Sequence, residues 1–134
     1  MSRLQGRRSR AAMLAAVISA ASLSPALGDA ADYEFQLVES VAKVGEAVVA
    51  VRLVDTRTSK PVPDAVIYAT RIDMAPDGMP TMSSAIASTP SDQLGVYRFK
   101  TKLTMEGGWR LSLAAKVQGE TGTVEGKLVL QAKP

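Results

Sequence analysis

The sequence predicts an all-β fold: an immunoglobulin-like antiparallel β-sandwich of about seven strands that follows an N-terminal signal peptide. Apolar residues alternate with polar ones at period two through most of the chain after residue 32. Glycine, proline and aspartate recur between these segments, and no segment there keeps a helical period long enough for a helix. A small barrel built from the same strands is the alternative.

The first thirty residues predict an export signal. Four arginines lie before residue 11, and residues 11–21 form an uncharged run without proline. Small residues around Gly28 suit a cleavage site, so we expect a signal peptide over 1–30 and a periplasmic domain over 31–134. The apolar run is short for a membrane span, which needs about 20 apolar residues. A signal anchor that is never removed is the alternative.

Composition excludes several classes of function. The chain has sixteen basic and thirteen acidic residues, and removal of the four early arginines leaves twelve against thirteen, a net charge of −1. No basic surface for nucleic acid is therefore expected. The absence of cysteine excludes disulfides, and the absence of histidine removes the commonest metal ligand and general base. We expect a monomer that is not an enzyme.

The predicted strands follow one another with short turn-rich connections. They are residues 33–41, 47–55, 65–73, 83–88, 95–103, 109–117 and 122–132. The fifth and sixth have the clearest alternation, with Phe99 and Leu103 on one apolar face and Leu111 and Leu113 on the other. Both are expected to be half-buried antiparallel strands joined by residues 104–108, where two glycines supply the backbone freedom of a turn.

Methionines mark one candidate site. Three of the six, Met74, Met79 and Met82, fall within ten residues that also hold two prolines and a glycine, which exclude a regular helix or a central strand. Met105 lies in the connection before Trp109. Thioethers are soft ligands, so these four could converge on Cu(I) or Ag(I), with a cation–π contact from Trp109. Alternatively, Trp109 belongs to the core and the methionines cap its end.

Charged residues suggest two weaker features. Asp73 and Asp77 flank Met74, and we interpret them as solvated turn carboxylates because a calcium loop needs more oxygen ligands. Basic residues of the fifth and sixth strands could form a cationic stripe for an acidic partner, or simply a solvated face. They are Arg98, Lys100, Lys102 and Arg110.

Three segments resemble the FixH-like or YtkA-like domains: DMAPDGM from Asp73, GVYRF from Gly95 and LTMEGGWRL from Leu103. The resemblance spans roughly residues 47–132. It implies a small exported bacterial β-sandwich that handles copper or silver beside a heavy-metal efflux adaptor, or assists cytochrome oxidase assembly. It also implies metal ligation by Met74, Met79, Met82 and Met105, with Trp109 as an adjunct.

The sequence thus favours a periplasmic Cu(I) or Ag(I) carrier that works with an efflux adaptor or another envelope protein. The alternative is an interaction module without a metal, docking on such an adaptor or on an oxidase-assembly complex. In that case the methionines supply adaptable apolar contacts.

Overall fold

The structure, a computed structural model, describes residues 30–134. The predicted export signal lies outside the described residues except for its last position. Within this range the chain forms ten strands and two short 3₁₀ turns, at Ala30–Asp32 and Ala75–Asp77. The strands are β1 (Tyr33–Leu37), β2 (Val41–Lys43), β3 (Gly45–Asp55), β4 (Lys60–Pro61), β5 (Val66–Met74), β6 (Met79–Ser84), β7 (Ile86–Thr89), β8 (Val96–Leu103), β9 (Gly107–Lys116) and β10 (Val124–Lys133).

Two sheets pack face to face, which confirms the predicted sandwich over the barrel. The first sheet, sheet A, has the order β1-β3-β8-β7, with β4 paired to the far end of β3. The second, sheet B, has the order β2-β10-β9-β5-β6. All pairs in the described chain are antiparallel except β2 with β10. This chain segment contains no helix with the length and hydropathy of a membrane span.

The core lies between the sheets and follows the alternation in the sequence. Val49, Val51 and Leu53 of β3 point inward and are buried. Phe99 and Trp109 are the largest buried side chains from the two sheets. Burial of such apolar area, at about 25 cal/mol per Å², is the main stabilising term in a domain without disulfides.

Two predicted strands prove to be two strands each, because the chain changes sheets within them. Residues 33–41 divide into β1 in sheet A and β2 in sheet B, and residues 83–88 divide into β6 and β7 in the same way. At the first change the Val38 N–H still donates to the Ala50 carbonyl of β3, whereas the Ser40 carbonyl accepts from Gln131 of β10. At each change, one segment of the chain supplies an edge strand to sheet A and an edge strand to sheet B.

The predicted fifth and sixth strands, β8 and β9, do not pair. They lie in opposite sheets, and residues 104–106 cross from one sheet to the other. Both strands have one apolar face, and this pattern fits strands facing each other across a core as well as strands side by side. Consequently Arg110 of β9 is on sheet B, away from Arg98, Lys100 and Lys102 on sheet A, and the predicted four-residue stripe does not form.

Candidate functional site

The methionines gather at one end of the sandwich, which we call the methionine end and define by Met74, Met79, Met82, Met105 and Trp109. The prediction of one long loop is wrong, since Met74 ends β5, and Met79 and Met82 lie in β6. Only the 3₁₀ turn Ala75–Asp77 and Gly78 connect the two strands. β6 is an edge strand of sheet B, so the predicted exclusion of a central strand holds.

An irregular register explains how Pro80 fits into β6. Met79 pairs with Met74, but the next pair along the ladder joins Asp73 to Ser83. Residues 80–82 therefore bulge from the edge of the sheet, and the Pro80 carbonyl accepts a hydrogen bond from the Arg71 guanidinium at 2.7 Å. The bulge turns Met82 outward.

The five residues differ sharply in access to solvent. Met74 and Trp109 have no exposed surface, and Met79 is partly buried against the core. Met82 and Met105 keep 38% and 39% of their surface exposed. Trp109 is thus a core residue, as the alternative prediction held. A bound ion would meet the thioethers of Met82 and Met105 first.

The two methionine-bearing segments meet, a point that the sequence left open. The Asp77 carboxylate accepts a hydrogen bond from the Gly108 N–H at 3.2 Å. The Met74 methyl carbon lies 2.9 Å from the position that a Cβ on Gly107 would occupy, and the Asp77 carboxylate would also collide with that Cβ. The turn therefore packs directly on the start of β9, and this contact requires glycine.

The crossover between β8 and β9 is held by the tryptophan. The Trp109 indole N–H donates to the Met105 carbonyl oxygen at 3.0 Å. This bond satisfies a buried ring donor and fixes the backbone of Met105 beside the core. The Met105 side chain stays at the rim.

Asp73 is a buried carboxylate, which corrects its interpretation as a solvated turn residue. It has no exposed surface and accepts from the Arg71 guanidinium at 2.8 Å and the Ala75 N–H at 2.9 Å, while Arg110 lies 3.5 Å away. Burial would raise the pKa of Asp73, but the Ala75 N–H and the two arginines outweigh it and hold that pKa below its usual range. With its oxygens occupied, Asp73 anchors the turn.

Sequence reasoning missed this ion-pair network, although part of its signal was present. Arg71 and Asp73 are two residues apart in β5, so their side chains lie on the same face of the strand and close together. Arg110 enters because it pairs with Asp73 across β5 and β9. That register depends on the tertiary arrangement and has no local signal.

Exposed thioethers are the soft donors at the methionine end. Among residues 30–134, no group of three or more histidine, cysteine, aspartate or glutamate side chains is placed to hold an ion. Hard cations that require several oxygen ligands have no such set here. Soft monovalent ions remain the chemical match for the exposed sulfur atoms.

The fold and this site define a class: a small immunoglobulin-like β-sandwich with a methionine-rich end. A family model described as YtkA-like matches residues 29–114. Because the match covers more than half of the chain, the chain belongs to the YtkA-like family. The resemblance inferred from sequence is confirmed, but the matched region begins before β1 and ends within β9, whereas we expected residues 47–132.

Other comparisons add little. No curated protein matches the chain. Among solved structures, the Lin-41 filamin domain has a TM-score of 0.47 and 18% identity, covering 74% of this chain and 91% of that one. The ZirS C-terminal domain has a TM-score of 0.46 and 11% identity, covering 95% of this chain and 88% of that one. Neither similarity, at a TM-score under 0.5, bears on function.

Proposed function

We propose that this protein is a periplasmic carrier of Cu(I) or Ag(I) that binds the ion at the methionine end and exchanges it with a heavy-metal efflux adaptor or another envelope protein. The observation that carries the proposal is the packing of the β5–β6 turn on the start of β9, which puts two thioether-bearing segments side by side. Membership of the YtkA-like family and the predicted export signal agree with it.

The ligands divide into two groups by access. Met82 and Met105 are exposed and would take the ion first, with Met79 next to them at the edge of the core. Met74 pairs in register with Met79 but has no exposed surface, so its ligation would require side chains of the core to move. Trp109 is buried and would border the ion from the core side.

Such an arrangement suits transfer better than storage. Exposed thioethers release a soft ion by ligand exchange with a partner's sulfur atoms, and this exchange needs no redox step. Thioethers do not titrate, so binding would persist at low pH. A role as carrier and not as enzyme is also supported by the lack of histidine and cysteine in the sequence.

The test is an anaerobic Cu(I) titration of the purified protein against a chromophoric chelator, with zinc as competitor. We expect one Cu(I) per chain, not displaced by zinc, and loss of binding in a Met79→Leu, Met82→Leu variant. Leucine matches methionine in volume, so thermal unfolding should change little. Tyr68→Leu, an exposed substitution on β5 away from the methionine end, is the matched control. Binding that survives the double substitution would overturn the proposal.

A second candidate function is favoured by the burial of Met74 and Trp109, which leaves only Met82 and Met105 well exposed. In this case the domain is an interaction module for an efflux adaptor or an oxidase-assembly complex. Oxidation of the methionines to sulfoxides separates the two functions, since it removes the thioether donors. After oxidation a carrier would lose its Cu(I) affinity. A module would also bind its partner less well after oxidation, but its binding would not depend on copper.

A further inference from the structure

Sheet A has an open edge, which we define as β7 and the groove beside it. β7 pairs with β8 along one side, and no strand in residues 30–134 pairs with its other side. Ser88 faces inward opposite the buried Phe99 but is itself exposed. The exposure of an inward-facing residue shows that the sandwich is not closed at this position.

A groove of about 470 Å³ occupies this opening. Ile67 of β5 and Phe99 of β8 contribute apolar walls, and Ser88 and Thr89 form the side along β7. β5 leaves the groove open because β6 pairs with it only from Ile72 onward. An extended chain placed beside β7 would therefore have free backbone groups on one side and an apolar cavity beneath it.

Positive charge lies on the outer face directly behind β7. Lys100 pairs with Ala87 and Arg98 pairs with Thr89, so only small side chains separate these two cations from the edge. Lys100 forms no ion pair in the described chain, and Arg98 donates only to the Pro90 carbonyl, at 3.2 Å. Neighbouring strands lie about 4.8 Å apart, a distance that lysine and arginine side chains can span.

We propose that β7 is a docking edge for an extended segment of a partner protein in which acidic and apolar residues alternate. The segment would pair with β7 as a new edge strand of sheet A. Its acidic side chains would lie on the outer face near Lys100 and Arg98, and its apolar side chains would enter the groove between Ile67 and Phe99. Successive side chains of an extended strand point to opposite sides, so alternating acidic and apolar residues would meet the cationic outer face and the apolar groove in turn.

A protein segment fits better than an anionic membrane. The free backbone groups of β7 and the concave groove need a chain that donates and accepts backbone hydrogen bonds, and a lipid surface has no such ladder. Neither the groove nor the cations involve the methionine end. The inference therefore stands or falls independently of the proposed metal transport.

The test uses a fluorescently labelled ten-residue peptide of alternating glutamate and valine, titrated into the metal-free purified protein. The comparison peptide has the same composition, with all glutamates before all valines. We expect the alternating peptide to bind at least about tenfold more tightly, and its binding to weaken with salt. Hydrogen exchange at Ile86–Thr89 should slow in the complex.

Charge reversal localises the site. Arg98→Glu with Lys100→Glu should weaken the alternating peptide by about tenfold or more, because two favourable ion contacts become repulsive. The matched control is Lys127→Glu with Lys133→Glu, which reverses two exposed lysines of β10 in sheet B and should leave affinity unchanged. Circular dichroism verifies that both variants fold.

Four results would overturn the proposal. These are equal affinity for both peptides, equal effects of the two double reversals, unchanged exchange at β7, and no binding of the alternating peptide up to about 1 mM. Anionic vesicles provide the remaining comparison. Binding to vesicles of phosphatidylglycerol without binding to the peptide would assign the cations to a membrane surface.

Discussion

The methionine end and the open edge both include residues of the segment β5 to β7, but they differ in how completely they are packed. At the methionine end the turn after β5 lies on Gly107 and Gly108, and Met74 and Trp109 have no exposed surface. At the open edge, Ser88 faces the interior and remains exposed. The change of sheet between β6 and β7 separates the two regions.

This difference suggests a division of roles within one small domain. A closed end holds its side chains in fixed positions, which suits a site whose ligands must be near one another before the ion arrives. An open edge leaves backbone groups and apolar surface free for a chain to bind. Stability should therefore depend strongly on residues of the methionine end and weakly on those of the open edge.

The largest expected effect is that of Trp109→Ala. This substitution removes the largest buried side chain and the hydrogen bond to Met105, and we expect a loss of about 3–5 kcal/mol in the free energy of unfolding. Leu94→Ala at the open edge, where Leu94 is 77% exposed, should change it by less than about 0.5 kcal/mol. Urea unfolding followed by circular dichroism measures both. Equal losses would mean that the two regions do not differ in packing.

The second prediction concerns the buried charge. Asp73→Asn removes the carboxylate that binds Arg71 and the Ala75 N–H and places an amide donor beside a guanidinium. We expect a loss of about 2–3 kcal/mol at pH 7, since hydrogen bonds to charged groups are the stronger ones. Asp92 at the open edge is an exposed residue that lines the groove, so Asp92→Asn should leave the free energy of unfolding almost unchanged.

Lowering the pH sharpens this second comparison. Because the pKa of Asp73 is lowered in the folded protein, its contribution is complete above the unfolded pKa of about 3.9 and disappears as the pH falls through the folded value. The difference in stability between wild type and Asp73→Asn should therefore be constant from about pH 5 to 7 and shrink below about pH 4. A difference that is the same at pH 3 and pH 7 would exclude the ionised carboxylate as its source.

The sequence predicted the parts of this molecule that depend on local pattern. Alternation identified the inward faces, including Leu111 and Leu113, because side chains of a strand point to its two sides in turn. The alternation did not show which strands pair with one another. Whether β8 pairs with β9 or faces it across the core depends on the path of residues 104–106, and both arrangements bury the same apolar faces.

The candidate site shows the same limit. The methionines and Trp109 were recognisable from residue type, but their burial was not, since a thioether suits both a core and a metal. The open edge gave no signal, because it results from a break in pairing between β5 and β6. Asp73 was misjudged since aspartate near proline and glycine is typical of a solvated turn.

The smallest expected effect compares a crowded glycine with an uncrowded one. Gly107 and Gly119 both have positive φ, +131° and +83°, but a Cβ on Gly107 would meet Asp77 and Met74, whereas a Cβ on Gly119 would have nothing within 4 Å. Alanine at Gly119, at the opposite end of β9, should lose about 1 kcal/mol through conformational strain alone. Alanine at Gly107 should lose about 1–2 kcal/mol more, because the Ala75–Asp77 turn must shift and because its φ lies further from the left-handed region that alanine can adopt.

The variants Gly107→Ala and Gly119→Ala also test whether packing at the methionine end matters for the proposed function. If the turn moves away from β9 in Gly107→Ala, the methionine-bearing segments separate, and the affinity for Cu(I) should fall while that of Gly119→Ala stays at the wild-type value. Binding of the alternating peptide at β7 should be the same in Gly107→Ala as in the wild type, since Gly107 contacts the methionine end. Equal stability of the two variants would show that Met74 and Asp77 adapt to the added methyl group, and the methionine end would then be less rigid than its burial indicates.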